Sequence, residues 1–158
     1  MLVYLPARVL AWAGVSRPAG HGATLALGLA IAALGAALAV WCVFTFAFVG
    51  RGTPAPFDPP RLLVERGPYR FIRNPMYAGA TLAFAGAALV YRSPALLGFC
   101  AGFMVVCHAF VLLYEEPALR RRFGGAYIAY CGRVRRWGPR RRPGAAADPS
   151  GATAPTPR

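Results

Sequence analysis

Between His21 and Val49 the chain carries no acidic or basic side chain other than His21 itself, and runs almost wholly in Ala, Gly, Leu, Val and Phe. As a helix rising 1.5 Å per residue such a stretch reaches about 40 Å, enough to cross a hydrocarbon core of about 30 Å with some tilt. The pattern therefore predicts a spanning helix over residues 22–49. Its first half is Ala/Gly/Leu, which lets a neighbouring helix approach closely; its second half brings Trp41, Phe44, Phe46 and Phe48 towards an interface. Two further apolar segments follow. Asn74-Pro75 is a helix-start signal, a capping residue ahead of a proline tolerated at the first position, and predicts a helix over 75–91. Ser93-Pro94 repeats the signal and predicts a helix over 94–116, with Arg92 at the turn as a headgroup anchor. Together they form an antiparallel spanning hairpin. The predicted fold class is an all-α polytopic membrane protein.

The polar segments place the rest. Residues 1–20 are apolar but broken by Pro6 and Arg8, too short to span alone, and read as an interfacial helix or the remnant of a spanning one. The loop 50–73 holds a run of prolines from Pro54 to Pro60, which forbids a regular helix and predicts a stiff, extended strap. It also carries five arginines against Asp58 and Glu65, which puts it on the cytoplasmic side. Residues 117–136 space Leu119, Phe123, Tyr127, Tyr130 and Val134 at helical intervals between arginines, the pattern of amphipathic helices lying on headgroups. Gly124-Gly125 should break that stretch in two. Residues 21–140 thus form one membrane domain, and 141–158, rich in Ala, Pro, Thr and Gly, read as a disordered tail.

Composition agrees. Of 158 residues 57% are hydrophobic and only 15% charged, against about 25% charged in a soluble domain, and the mean hydropathy is +0.44. The net charge of +13 comes entirely from arginine on the basic side. Most arginines flank apolar helices, so retention at a cytoplasmic face and contact with anionic headgroups explain them without nucleic acid. This points to a cell membrane, a bacterial inner membrane, with the C-terminus in the cytoplasm. No signal peptide pattern opens the chain. Cys42, Cys100 and Cys107 fall in apolar helices, and with Cys131 they show no short metal or redox spacing; no metal is expected.

The chemistry concentrates at the cytoplasmic mouth of the hairpin. Arg66 to Tyr77 holds three arginines, Tyr69, Phe71 and Tyr77, and Glu115-Glu116-Pro117 closes the partner helix at the same depth. A helix start offers free N–H groups to a carboxylate, the glutamates suit an ammonium or sulfonium, and Tyr69, Tyr77, Tyr114 and Tyr127 offer aromatic faces to a purine or a cation. S-adenosylmethionine presents all three features. The plainer account makes these residues interfacial anchors and a solvated helix end. His108, mid-helix, is either bonded to a neighbouring helix or a polar group on a substrate path.

Gly67-Pro68-Tyr69-Arg70, then Arg73-Asn74-Pro75-Met76-Tyr77-Ala78-Gly79, then Glu115-Glu116-Pro117-Ala118-Leu119 through Phe123-Gly124, Tyr127, Tyr130 and Val134, resembles the isoprenylcysteine carboxyl methyltransferases and the related phospholipid methyltransferases, over about residues 50–140. The resemblance implies a methyltransferase that holds S-adenosylmethionine near the cytoplasmic face while a lipophilic acceptor, a lipid or small molecule, arrives through the bilayer. Carried over position by position, it implies donor contacts at Tyr69, Asn74, Pro75, Met76 and Tyr77, with Glu115 as the acidic partner and Leu62, Leu63 and Val64 as a backbone-contacting stretch. Arg73, His108 and Glu116 are the candidates on the acceptor side. Asn74 stands where eukaryotic members have histidine, and both can hydrogen-bond. Val111 stands where prenylcysteine enzymes have a substrate-binding arginine, which leaves a neutral or differently charged acceptor as eligible as a prenylated carboxylate. Two other classes share parts of the pattern: a membrane reductase using NADPH, related to sterol reductases, and a non-enzymatic adaptor binding anionic lipid through its arginines.

Overall fold

The prolines, glycines and arginines that punctuate the apolar runs set the helix boundaries in the computed structural model, which describes residues 4–12, 22–50 and 62–138. Among these residues five α-helices follow one another: α1 (Tyr4–Trp12), α2 (Ala23–Gly50), α3 (Pro75–Tyr91), α4 (Pro94–Phe110) and α5 (Glu116–Arg133), with a short 3-10 turn at Gly67–Arg70 and a π turn at Val111–Glu115. No strand occurs among the described residues, and the protein is all-α; α2, and the continuous helical run Pro94–Arg133 that begins with α4, are long and apolar enough to cross a membrane. α3, at 17 residues, rises about 26 Å and lies at the short end of spanning length. The expected proline strap before Arg61, the start at His21 and the disordered tail lie outside the described residues.

α2 and α3 form the most extensive helix pair, and glycine decides how near they come. A methyl group placed on Gly35 would lie 2.6 Å from the Gly79 carbonyl oxygen, and one on Gly86 would lie 2.7 Å from the Gly28 oxygen. The two helices therefore meet backbone to backbone, the geometry small residues permit in lipid. α3 ends at Arg92, which adopts a left-handed conformation at φ 47° and closes the helix. Ser93 then caps α4, its Oγ accepting from the Leu96 N–H at 3.4 Å. Between α3 and α4, the Phe84 ring meets Phe99 and Phe103 edge-on at 5.3 and 5.2 Å. α1 packs against α4.

Two expectations are corrected here. Glu115-Glu116-Pro117 does not end the helix. The chain passes through a π turn in which the Glu116 N–H bonds the Val111 oxygen, and helix resumes as α5 with Pro117 in its first turn. A proline there has no N–H to bond, so the wider turn absorbs what would otherwise be a break. The bend comes at Gly124, at φ 51° and ψ −125°, a conformation only glycine holds without strain. The second correction concerns the apolar side of α5. Tyr127, Tyr130 and Val134 are buried together against Leu63, Leu119 and Phe123, so they fold over the hairpin mouth instead of facing lipid.

Candidate functional site

Residues 62–74 lead from the end of α2 to the start of α3 across the hairpin mouth. Val64 and Tyr69 are buried with Cys42 and pack against Leu38, Phe46, Val49 and Met76, so this segment is pinned by its own apolar side chains. Gly67 allows it to lie against α2: at φ +57° a side chain would be strained, and a methyl there would sit 3.0 Å from Thr45 Oγ1. From above, α5 and the segment after it close the arch. Tyr130 Oη donates to the Tyr69 oxygen at 2.7 Å, Ile72 and Arg135 form an isolated parallel bridge, and the Arg73 N–H donates to the Arg135 oxygen at 2.9 Å. Burial pushes the Tyr69 phenol well above its usual range, so it stays neutral.

Under this arch lies a cleft of about 950 Å³, counting the solvent space open at its mouth. Its apolar wall includes Phe46, Phe110, Val111 and Leu119; its polar groups come from Arg73, Tyr77, Glu115 and Glu116. Tyr77 Oη donates to Glu115 Oε2 at 3.3 Å, joining the first turn of α3 to the π turn after α4 across 38 positions of sequence. The π turn has a direct consequence here. Within it the two adjacent glutamates point apart, Glu115 to Tyr77 and Glu116 to arginine.

Glu116 is buried and fully engaged. Arg136 grips it through Nε at 2.7 Å and Nη2 at 3.0 Å, and Arg73 Nη1 lies 3.0 Å from Oε1. The hydrogen bond to this carboxylate raises the Arg136 pKa, so the fork is permanently charged. Arg73 Nη1 also donates to Cys131 Sγ at 2.8 Å, while its Nε is buried with no partner among the described residues. A buried donor without a partner is costly and asks for an acceptor.

Of the residues singled out from sequence, Leu63, Val64, Tyr69, Arg73, Asn74, Met76, Tyr77, Glu115 and Glu116 all line this one cleft. Leu62 is exposed and Pro75 is buried, and neither lines it. His108 stands elsewhere, its Nδ1 accepting from Trp137 Nε1 at 2.9 Å. Asn74 precedes α3 but makes no side-chain cap; its Nδ2 donates instead to the Arg136 oxygen at a long 3.5 Å. Sequence reasoning did not single out Phe46, Phe110, Leu119 or Tyr130 as cleft walls, nor Arg136 as the clamp on Glu116. The aromatic run at the end of α2 and the helical spacing after Pro117 were the only signals for the walls. Nothing in the sequence distinguishes Arg136 from the arginines beside it.

A cleft built of a helix start, a carboxylate held by a tyrosine hydroxyl, and a lining with seven aromatic residues of seventeen is suited to a small zwitterion bearing a ring system. Among the described residues no cluster of His, Cys, Asp and Glu could hold a metal. Comparison with known proteins bears on the same residues. Neither the curated proteins nor the solved structures contain a match to the chain. A family model described as phospholipid methyltransferase matches residues 23–126, from the start of α2 past the bend of α5, and so takes in the cleft's α2, α3 and π-turn walls. With the match covering about two thirds of the chain, and with the apolar helices such an enzyme needs already in view, the protein belongs to the phospholipid methyltransferase family of membrane methyltransferases.

Proposed function

We propose that the protein transfers a methyl group from S-adenosylmethionine to a lipophilic acceptor at the cytoplasmic face of a bacterial inner membrane, with its C-terminus on that side. The observation that carries the reading is the pairing of Tyr77 with Glu115 inside the cleft. A headgroup adaptor has no use for a carboxylate held in a partly apolar cavity, and a nicotinamide dinucleotide would call for phosphate-binding groups where Glu115 stands.

The residues present fit the donor. Glu115 offers negative charge to an ammonium or sulfonium, the Arg73 guanidinium in the cleft lining offers positive charge to a carboxylate, and Met76 and Tyr77, in the first turn of α3, have N–H groups without helical partners. Tyr69, Tyr114 and Tyr127 supply ring faces. When bound, the donor supplies an electrophilic methyl on sulfur. The protein's part is positioning and drying: the Tyr77 hydroxyl fixes Glu115, Asn74 and Pro75 set the start of α3, and Phe46, Phe110, Val111 and Leu119 exclude water, which strengthens each charge interaction within.

Glu116 is committed to two arginines and Glu115 is assigned to the donor, which leaves no carboxylate in the cleft free to act as base on the acceptor. An acceptor that arrives already ionised, a carboxylate or a thiolate, therefore suits it best, as in carboxyl O-methylation of the isoprenylcysteine type. Purified protein with radiolabelled S-adenosylmethionine and a panel of lipids, quinones, thiols and prenylcysteine analogues tests the reading. Label passing to an ionised lipophile supports it; label passing only to neutral amines refutes the acceptor, and no donor binding by calorimetry refutes the site.

A further inference from the structure

A second cleft opens on the other side of the arch. It occupies about 550 Å³, open space included, and is lined by Glu65, Arg66, Gly67, Arg70, Tyr130, Arg133 and Val134. Three guanidinium groups thus converge on one concavity that contains a single carboxylate. That carboxylate is committed: Glu65 Oε2 pairs with Arg133 Nη2 at 2.7 Å. Arg66 and Arg70 have no carboxylate partner among the described residues, and Arg70 merely covers the Phe71 ring at 5.1 Å. The net local charge of the lining is +2, three arginines less one glutamate.

Its position matters as much as its charge. Gly67, in its wall, abuts Thr45 and Trp41 of α2. The neighbouring face of α2 presents Trp41, Phe44 and Phe48 outward, with Phe44 and Phe48 stacked at 6.1 Å between centroids. Aromatic side chains exposed near a helix end mark the level of the headgroups. Tyr130 lines both this cleft and the methyltransferase cleft, so the two are one side chain apart.

We propose that this second cleft binds a phosphate group, and specifically the phosphodiester of an anionic phospholipid whose acyl chains lie along the exposed aromatic face of α2. Guanidinium groups match phosphate oxygens two at a time, which ammonium groups do not. The proposal rests on the interfacial orientation of the proposed function but not on its donor site.

The test uses the full-length protein in phosphatidylcholine nanodiscs containing a fifth phosphatidylglycerol, reading bound anionic lipid by native mass spectrometry. R66Q/R70Q should retain at least fivefold less phosphatidylglycerol than wild type. R121Q/R122Q, which removes the same charge from an exposed face of α5, should change retention by less than twofold. E65Q removes the sole acid and frees Arg133, so it should raise retention, an outcome loss of folding cannot mimic. Equal losses in the two double variants, or no gain in E65Q, would overturn the proposal. Inorganic phosphate displacing the lipid at millimolar concentration would assign recognition to the phosphate group alone, against the lipid assignment; persistence of the lipid supports it. S-adenosylmethionine affinity, measured alongside, should hold in all these variants, which separates failure here from failure of the donor site.

Discussion

Glu115 and Glu116 are adjacent, yet their surroundings give them different work. Glu116 is enclosed by two guanidinium groups, and removing it leaves two positive charges facing each other at low exposure. Breaking such a pair typically costs about 3–5 kcal/mol, so Glu116→Ala should lower the unfolding midpoint in detergent steeply. Glu115→Gln and Tyr77→Ala should do the opposite: little change in unfolding, but donor affinity down by about ten- to a hundredfold by calorimetry, the cost of a charged hydrogen bond of about 1.5–3 kcal/mol. Asn74→Ala is expected to be mild. A capping residue would cost about 1 kcal/mol, but Asn74 makes no cap and one long bond to Arg136, so a loss well below ~1 kcal/mol should appear in chemical denaturation.

At the scale of elements, two devices set the cleft: the glycine contact of α2 with α3 and the π turn between α4 and α5. Gly86→Val introduces atoms where even a methyl meets the Gly28 oxygen at 2.7 Å. Overpacking of this kind costs about 1–3 kcal/mol and should show as a lower melting temperature. Pro117→Ala restores an N–H that an ordinary α-helical turn can use. The π turn should then relax and rotate Glu115 off Tyr77, weakening donor binding while stability is kept or improved; hydrogen exchange across 111–117 would slow. The helix starts at Pro75 and Pro94 and the bend at Gly124 were readable from sequence, because each depends on a local backbone restriction. The π turn was not, because Glu-Glu-Pro reads equally well as a stop.

For the whole molecule, closure of the arch joins residues far apart in the chain. Arg136 lines no wall of the first cleft, yet it holds Glu116, its backbone oxygen receives Asn74, and its neighbours Arg135 and Trp137 bond Arg73 and His108. Arg136→Ala should therefore reduce donor affinity at a distance, together with faster hydrogen exchange in residues 62–74. Unchanged affinity with unchanged exchange would mean the arch stands without its clamp.

Apolar length, proline and glycine placement and arginine bias are local properties, and they alone determined that this chain is an all-α membrane protein with an N-terminal span and a hairpin. The same local record picked out Tyr77 and Glu115, because their setting resembles a known family. That arginine clamps Glu116 while Tyr77 meets Glu115, that α5 roofs the cleft, and that a second basic cleft lies behind Tyr130 were decided only by tertiary structure. The reason is physical: a side chain's partner depends on helix rotation and on contacts across 20 to 68 positions of chain, such as Arg136 with Glu116 and Arg133 with Glu65. No window along the sequence contains them.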